Sequence, residues 1–234
     1  MGSNAGPKIP KVENIVFHID ALNTKSYPGS GNTWSDLSVS GIAGTKVGTV
    51  TFVGGGSTAS FNWVGTPLGY FEYGKPTQFD LTTKITMNVF WLNRGWNAAT
   101  WQALFTKGDD SYRISRDATA ADRGWYAVGV NPNTYWQTGI ATSQPYDVWQ
   151  MVTCTFDQAS NNLIFYNNGI ATTNTTRASA LNVSTYNFWV GANSQTGGRS
   201  PNGNIAIVQL FDTPLSATEV QDLYASFKGR YGLT

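Results

Sequence analysis

The sequence has few of the side chains on which most enzymes and metalloproteins depend. Its 234 residues include one cysteine, one histidine and three glutamates, namely Glu13, Glu72 and Glu219. A single cysteine excludes an internal disulfide, and a single histidine excludes a metal site with several histidine ligands. Charged residues make up 12% of the chain, about half of the usual share of roughly 25%. These scarcities leave few catalytic mechanisms open.

Targeting and nucleic-acid signals are also missing. Residues 1–10 contain no apolar run of signal-peptide length, and no stretch approaches the 18 apolar residues of a membrane span. The net charge of +1 gives no basic footprint for nucleic acid. We therefore expect a protein made soluble in a cytoplasm, with neither a membrane nor a nucleic acid as its partner.

The chain does contain many short apolar runs separated by turn residues. Hydrophobic residues reach 41% and aromatic residues 14%, which is enough for a sizeable core and excludes a disordered chain. This pattern predicts an all-β sandwich or barrel, in one domain over residues 13–234. The predicted strands are 15–19, 49–53, 69–73, 83–92, 102–107, 112–115, 125–130, 149–156, 162–166, 170–173, 187–191 and 204–212. The last run is nearly continuous at 205–211, which predicts cover on both of its faces.

Two local elements are well specified. Asn168-Gly169 between two apolar runs predicts a hairpin with a type I′ turn. Ser216-Ala-Thr-Glu219 fits a capping box and predicts one helix near the C-terminus, with Gly229 as its stop. The apolar face of that helix comprises Val220, Leu223, Tyr224 and Phe227, and we expect it to pack on an edge or end of the sandwich.

Several separated segments resemble a known family. They are 19–38 (which contains Ser-Tyr-Pro-Gly-Ser-Gly and then Trp-Ser-Asp-Leu-Ser), 149–157, 165–169, 189–193, 202–206, 210–212 and 215–219. Their order is similar to the laminin-G-like, concanavalin-A-like jelly-roll domain, and the first segment resembles the form common in tailed-phage virion proteins. The resemblance implies an antiparallel two-sheet jelly-roll sandwich with one C-terminal helix, preceded here by an extended N-terminal arm.

Three residues of these segments have predicted structural roles. We expect Trp34 to fill the core, with an acceptor for its indole N–H. Asp36 is expected to bond the backbone two residues on, and Gly203 to allow a close approach at the start of the last strand.

The resemblance favours a non-enzymatic structural protein of a phage virion. We expect a capsid decoration or head-surface protein located on the virion, with the major capsid protein as partner and a homo-oligomeric state, for which a trimer would be unsurprising. Residues 1–12 would be the attachment arm, with Lys8 and Lys11 meeting acidic patches and Pro7 and Pro10 keeping the chain extended.

Catalysis is not expected. Glycoside hydrolysis requires two nearby carboxylates, and none of the three glutamates has another nearby in sequence. Asp109-Asp110 are adjacent, so that on a strand they would point to opposite faces. Cys154 and His18 lie in predicted strands and are interpreted as structural. No catalytic residue, metal ligand or cofactor is therefore assigned.

Calcium binding is a weighed alternative around residues 107–123. The oxygen donors there are Asp109, Asp110, Asp117 and Asp122, but Lys107, Arg113, Arg116 and Arg123 are interleaved with them. A hard cation such as calcium needs six to eight oxygen ligands. The lysine and arginine side chains would instead neutralise the carboxylates. We favour a solvated, salt-bridged loop.

The surplus of aromatics offers a second function. Trp63, Trp91, Trp125, Trp149 and Trp189 are expected in the core because they lie in or beside predicted strands. Exposed Trp and Tyr beside polar side chains are typical of contact surfaces. The candidate contact residues in loop-like stretches are Arg94, Trp96, Trp101, Tyr135 and Trp136. They could cap the ends of the sandwich or, as the alternative function, bind host glycans in a lectin-like adhesion module.

Overall fold

A computed structural model describes residues 8–65, 68–95, 101–116, 125–131, 134–139, 145–176 and 179–233, with backbone alone at 125–131 and 134–139. These ranges form sixteen strands and one α-helix, α1 (Ala217–Phe227). The strands are β1 (Ile15–Asp20), β2 (Thr33–Ser35), β3 (Ala43–Gly48), β4 (Thr51–Val53), β5 (Ser60–Val64), β6 (Gly69–Glu72), β7 (Lys84–Asn93), β8 (Ala103–Thr106), β9 (Tyr112–Arg116), β10 (Trp125–Asn131), β11 (Thr134–Gly139), β12 (Trp149–Asp157), β13 (Asn162–Asn167), β14 (Ile170–Thr176), β15 (Trp189–Val190) and β16 (Asn202–Phe211). Short 3-10 helices span Val12–Asn14, Thr77–Phe79 and Lys228–Tyr231.

The strands form two antiparallel sheets of eight strands each. The first sheet has the order β14-β13-β12-β7-β16-β5-β4, with β1 pairing the second half of β16. The second sheet has the order β11-β10-β9-β8-β15-β6-β3-β2. The two-sheet jelly-roll sandwich and its single C-terminal helix are thus confirmed.

An aromatic core fills the space between the sheets. Trp34 is fully buried in it and packs against Phe61 and Phe71, with ring centroids 4.5 and 5.2 Å away. Its position agrees with the prediction, but Trp34 Nε1 has no hydrogen-bond partner among the described residues. The expected acceptor is therefore not seen among the described residues, and packing in the core holds the side chain.

β16 is buried on both faces, as its continuous apolar run predicts. Ile205, Val208 and Leu210 belong to the core between the sheets. Ala206, Ile207 and Phe211 face the other way, into a second apolar cluster beneath α1. β16 therefore contributes side chains to both apolar clusters.

The helix begins at the predicted capping box. Ser216 Oγ accepts from the Glu219 N–H, and the Glu219 carboxylate accepts from the Ser216 N–H. The expected stop at Gly229 is wrong, because α1 ends at Phe227 and Gly229 lies inside the following 3-10 helix. The left-handed C-cap is Gly232, with a φ of 65°.

The helix also lies elsewhere than expected. Val220, Leu223 and Phe227 pack on Phe90, Met151 and Ile207 of the first sheet, so α1 covers the outer face of that sheet rather than its edge or end. None of the described helices is long and apolar enough to cross a membrane.

Other local predictions are confirmed. Asn168 and Gly169 both have positive φ, at 49° and 80°, as a type I′ turn requires. Asp36 Oδ1 accepts the N–H of Ser38, two residues on, and also that of His18 on β1. Gly203 permits a close approach, because a Cβ there would lie 2.1 Å from the Leu92 carbonyl oxygen.

Candidate functional site

The outer faces of the two sheets differ in what covers them. α1 and residues 8–11 lie against the first sheet. On the second sheet, Ala43, Thr45 and Val47 of β3 are exposed, and Tyr70, Glu72 and Trp189 on β6 and β15 are partly exposed. These strands of the second sheet thus offer an accessible surface for a ligand.

One polar and aromatic surface can be defined there from register. Thr45 and Trp189 each lie directly opposite Glu72 on the neighbouring strand, so all three share one face. Tyr70 and Val47 pair two residues further along and fall on the same face. We call these five residues, together with Asn187, the open face.

Two aromatic rings stack at its centre. The ring centroids of Tyr70 and Trp189 lie 3.7 Å apart with planes 14° from parallel. Trp189 was expected in the core, and this expectation is wrong. Phe188 and Val190 are buried, and the period of two in a strand places Trp189 between them on the opposite face.

A depression of about 420 Å³ lies beside the stacked pair. Its lining comprises Ala43, Thr45, Val47, Glu72, Tyr73 and Gly74. The Asn187 amide donates to Glu72 Oε1 over 2.5 Å. Burial, together with the charge of Glu72, raises the pKa of Tyr70, so its hydroxyl remains a donor at neutral pH. The open face therefore combines apolar rings with donors and acceptors.

A short hairpin at 193–198 lies over β8, next to the open face. It is closed by a bridge between Asn193 and Gly198. Asp109 anchors it by accepting from the Asn193 amide over 2.5 Å and by pairing with Arg113 and Arg199, the latter at 3.2 Å. Asp109 thus belongs to a salt-bridged loop, as expected, but the loop is not solvated as predicted, because Lys107, Arg113 and Arg116 are buried. Asp117, Asp122 and Arg123 lie outside the described residues.

Of the five contact residues predicted from sequence, the side chains of Arg94 and Trp101 belong to the described part of the chain. Arg94 follows β7, donates from Nε to Asn204 Oδ1 over 2.9 Å and pairs with Asp147 at 3.7 Å. Trp101 is half-buried before β8, with a φ of 61°. Trp96 lies outside the described residues. Tyr135 and Trp136 lie in β11, opposite Val130 and Gly129, with their side chains outside the described part. Their contact role stays a prediction.

The predicted attachment residues lie on the covered side. The Lys8 carbonyl accepts from Ser226 Oγ over 2.7 Å, and Lys11 pairs with Glu219 at 3.7 Å. Pro10 is partly buried, Ile9 packs into the cluster beneath α1, and Pro7 lies outside the described residues. Residues 8–11 are therefore held by their own domain, and the attachment role of residues 1–12 stays a prediction.

Of the two reactive side chains considered from sequence, Cys154 is buried, and His18 is partly buried with its Nε2 atom enclosed. Burial raises the pKa of the Cys154 thiol and lowers the pKa of His18 to about 4. Both side chains are therefore neutral at pH 7. Among the described residues, no three metal-ligating side chains come together.

The chain matches the model of one known protein family. A family model described as Laminin_G_3, concanavalin A-like lectin/glucanases superfamily, matches residues 68–221. The match spans more than half of the chain, and the protein belongs to this family. No curated protein sequence matches the chain.

Solved structures share the fold at low sequence identity. Domain 4 of AbnA, a GH43 extracellular arabinanase from Geobacillus stearothermophilus in complex with arabinotriose, is similar with a TM-score of 0.69 and 14% identity, over 90% of this chain and 98% of that domain. The binding domain of Botulinum neurotoxin DC in complex with SialylT gives a TM-score of 0.71 and 14% identity, over 92% and 52%. The binding domain of Paraclostridial Mosquitocidal Protein 1 gives a TM-score of 0.70 and 15% identity, over 95% and 56%. The chain thus spans about half the length of the two toxin domains.

Proposed function

We propose that this protein is a non-enzymatic carbohydrate-binding module and that the open face is its binding surface. The observation that carries the proposal is the stacked Tyr70–Trp189 pair beside the Glu72–Asn187 hydrogen bond on an accessible face. Other members of this fold support it. The arabinanase domain is described with arabinotriose and one of the neurotoxin domains with SialylT.

The chemistry of the open face suits a sugar. Sugar rings have apolar C–H patches that pack on aromatic rings, while their hydroxyls need hydrogen-bond partners. Tyr70 and Trp189 supply the first, and the Glu72 carboxylate, the Thr45 hydroxyl and the Tyr70 hydroxyl supply the second. Ligand sites commonly combine apolar and aromatic side chains with a few placed polar groups.

Hydrolysis is not part of the proposal. Cleavage of a glycosidic bond uses two carboxyl groups about 5–10 Å apart. Glu72 is the one carboxylate among the residues that line the depression. A single carboxylate can hold a sugar hydroxyl without supplying both the acid and the base.

Substitution of the two rings tests the site. We expect Tyr70→Ala and Trp189→Ala each to weaken binding to a panel of immobilised oligosaccharides that includes arabinotriose by roughly tenfold or more, because aromatic anchors dominate such contacts. Tyr224→Ala removes a ring from α1 on the opposite side and is the matched control. Melting temperatures would verify that the variants are folded.

Two results would contradict the proposal. The wild-type protein could bind no saccharide of the panel, or the open-face variants could bind as well as the control. If Trp101→Ala loses binding and the open-face variants do not, the binding site lies near Trp101 and Arg94 rather than on the open face.

We also propose a structural role on the virion of a tailed phage, with residues 1–12 as the attachment arm. Lys8 and Lys11 lie against α1, on the side opposite to the open face. An anchor on that side would leave the open face directed away from the particle, so the two proposals are compatible. The major capsid protein remains the proposed partner, and a homo-oligomer the proposed state.

Particles of the source phage test this role. Mass spectrometry should find the protein at hundreds of copies per particle if it decorates the capsid. Deletion of residues 1–12 should abolish incorporation while leaving the domain folded. Absence of the protein from particles, or normal incorporation of the truncated form, would refute the proposal.

A further inference from the structure

We infer that Glu72 restricts the open face to uncharged glycans and excludes carboxylated ones such as uronates and sialosides. The inference rests on the proposed carbohydrate-binding function and names the ligand class of the same site. It follows from the charge of the open face and from the hydrogen bonding of one carboxylate.

The depression contains one uncompensated negative charge. Glu72 is the one charged residue among those that line it, and it forms no ion pair with any described residue. An isolated charge of this kind repels a ligand of the same sign, and the repulsion is strongest where water is partly excluded.

Cationic side chains in the neighbourhood are engaged elsewhere. Arg113 and Arg199 both pair with Asp109. Lys107 is buried and donates to the carbonyl oxygens of Ser184 and Tyr186, at 3.2 and 2.7 Å.

Two further lysines lie close in sequence. Lys46 pairs with Phe71 in register and therefore shares the inward-facing side of the sheet. Lys75 is exposed and is not among the lining residues. None of these five cationic side chains lines the depression, so no positive charge there neutralises Glu72.

Glu72 is also positioned to accept a hydrogen bond from a ligand. Asn187 holds Oε1, and no hydrogen bond from a described residue reaches Oε2. An ionised carboxylate only accepts hydrogen bonds, so its partner must be a donor such as a sugar hydroxyl. A sugar carboxylate offers no donor and adds a like charge.

A matched pair of ligands and a matched pair of variants test the inference. The probes are neutral oligosaccharides and their uronate or sialylated counterparts on one array, followed by calorimetry on the best pair. We expect the wild-type protein to prefer the neutral partner by at least tenfold. Glu72→Gln keeps the size of the side chain and removes its charge, so we expect this preference to fall severalfold. Asp222→Asn removes a charge from α1 on the opposite side and should leave it unchanged.

The outcomes separate this inference from the proposed function. Binding of no glycan by the wild-type protein overturns both. Equal or tighter binding of the acidic partners, or an unchanged preference in a folded Glu72→Gln protein, overturns the inference alone. If Glu72→Gln does not fold, the salt dependence of the wild-type protein decides. Repulsion predicts that acidic glycans bind better as salt is raised, and the opposite trend overturns the inference.

Discussion

At the scale of single residues, the most unusual group is the one histidine. His18 lies on β1 at the end of a buried polar row that crosses the first sheet. Thr153 donates to Asn88 over 2.7 Å, and Asn88 donates to Gln209, which lies opposite His18, over 2.8 Å. His18 Nε2 is buried without a hydrogen-bond partner among the described residues. Because burial disfavours the imidazolium, His18 stays neutral in the folded protein.

This burial predicts a pH-dependent stability. The pKa of His18 is about 4 in the folded protein against 6.5 in its ordinary state. Between these values the unfolded chain binds the proton more tightly, so the stabilisation is complete above pH 6.5 and is lost as the pH falls towards 4. We expect a loss of about 3 kcal/mol in the free energy of unfolding over this range.

Urea denaturation at pH 7, 5 and 4 would measure the free energy of unfolding. Carboxylates also titrate in this range, so the informative quantity is the difference between wild type and His18→Gln. That difference should change with pH in the expected direction. A constant difference from pH 7 to pH 4 would mean that the pKa of the imidazole is the same in the folded and unfolded states, against this prediction.

At the scale of elements, local chemistry determines where α1 begins, while packing determines where it lies. Ser216 and Glu219 satisfy each other's backbone N–H groups, so the start of the helix is readable from four residues. The same sequence does not indicate that the apolar stripe will meet the outer face of the first sheet, because that face is assembled from β7, β12, β13 and β16. Residues 8–11 then close over one side of the helix.

The capping box predicts a measurable contribution to stability. Ser216→Ala removes the acceptor for the Glu219 N–H and should lower the free energy of unfolding by about 1 kcal/mol. Thr218→Ala, an exposed change in the same helical turn, should shift it by less than about 0.5 kcal/mol. Chemical denaturation of both variants would compare them. Equal effects would show that the cap does not stabilise the helix.

At the scale of the whole molecule, the two outer faces differ in their cover and in their chemistry. The first sheet contributes to an apolar cluster on each of its faces and carries α1 together with the segment from Lys8 to Lys11. The second sheet has its apolar face inward and a mixed aromatic and polar face outward. In the proposed function, the covered side carries the anchor and the open face binds the glycan.

The sequence by itself determined the local features of this protein. Short apolar runs bounded by turn residues predicted twelve of the sixteen strands that the described ranges contain. The Asn168-Gly169 turn, the capping box and the hydrogen bond from the Ser38 N–H to Asp36 followed from neighbouring residues. The strands that were missed are Thr33–Ser35, Ala43–Gly48, Ser60–Val64 and Thr134–Gly139. β2 has only three residues, and β3 has two glycines among its six, so their apolar patterns are weak.

Only the tertiary structure decided which residues form the open face. Tyr70, Glu72 and Trp189 come from β6 and β15, which are distant in sequence and adjacent in the sheet. Strand periodicity assigns a residue to one side of its own strand, but strand order and the cover given by other elements determine whether that side meets solvent. Both depend on pairings between distant segments, which no local pattern in the sequence encodes.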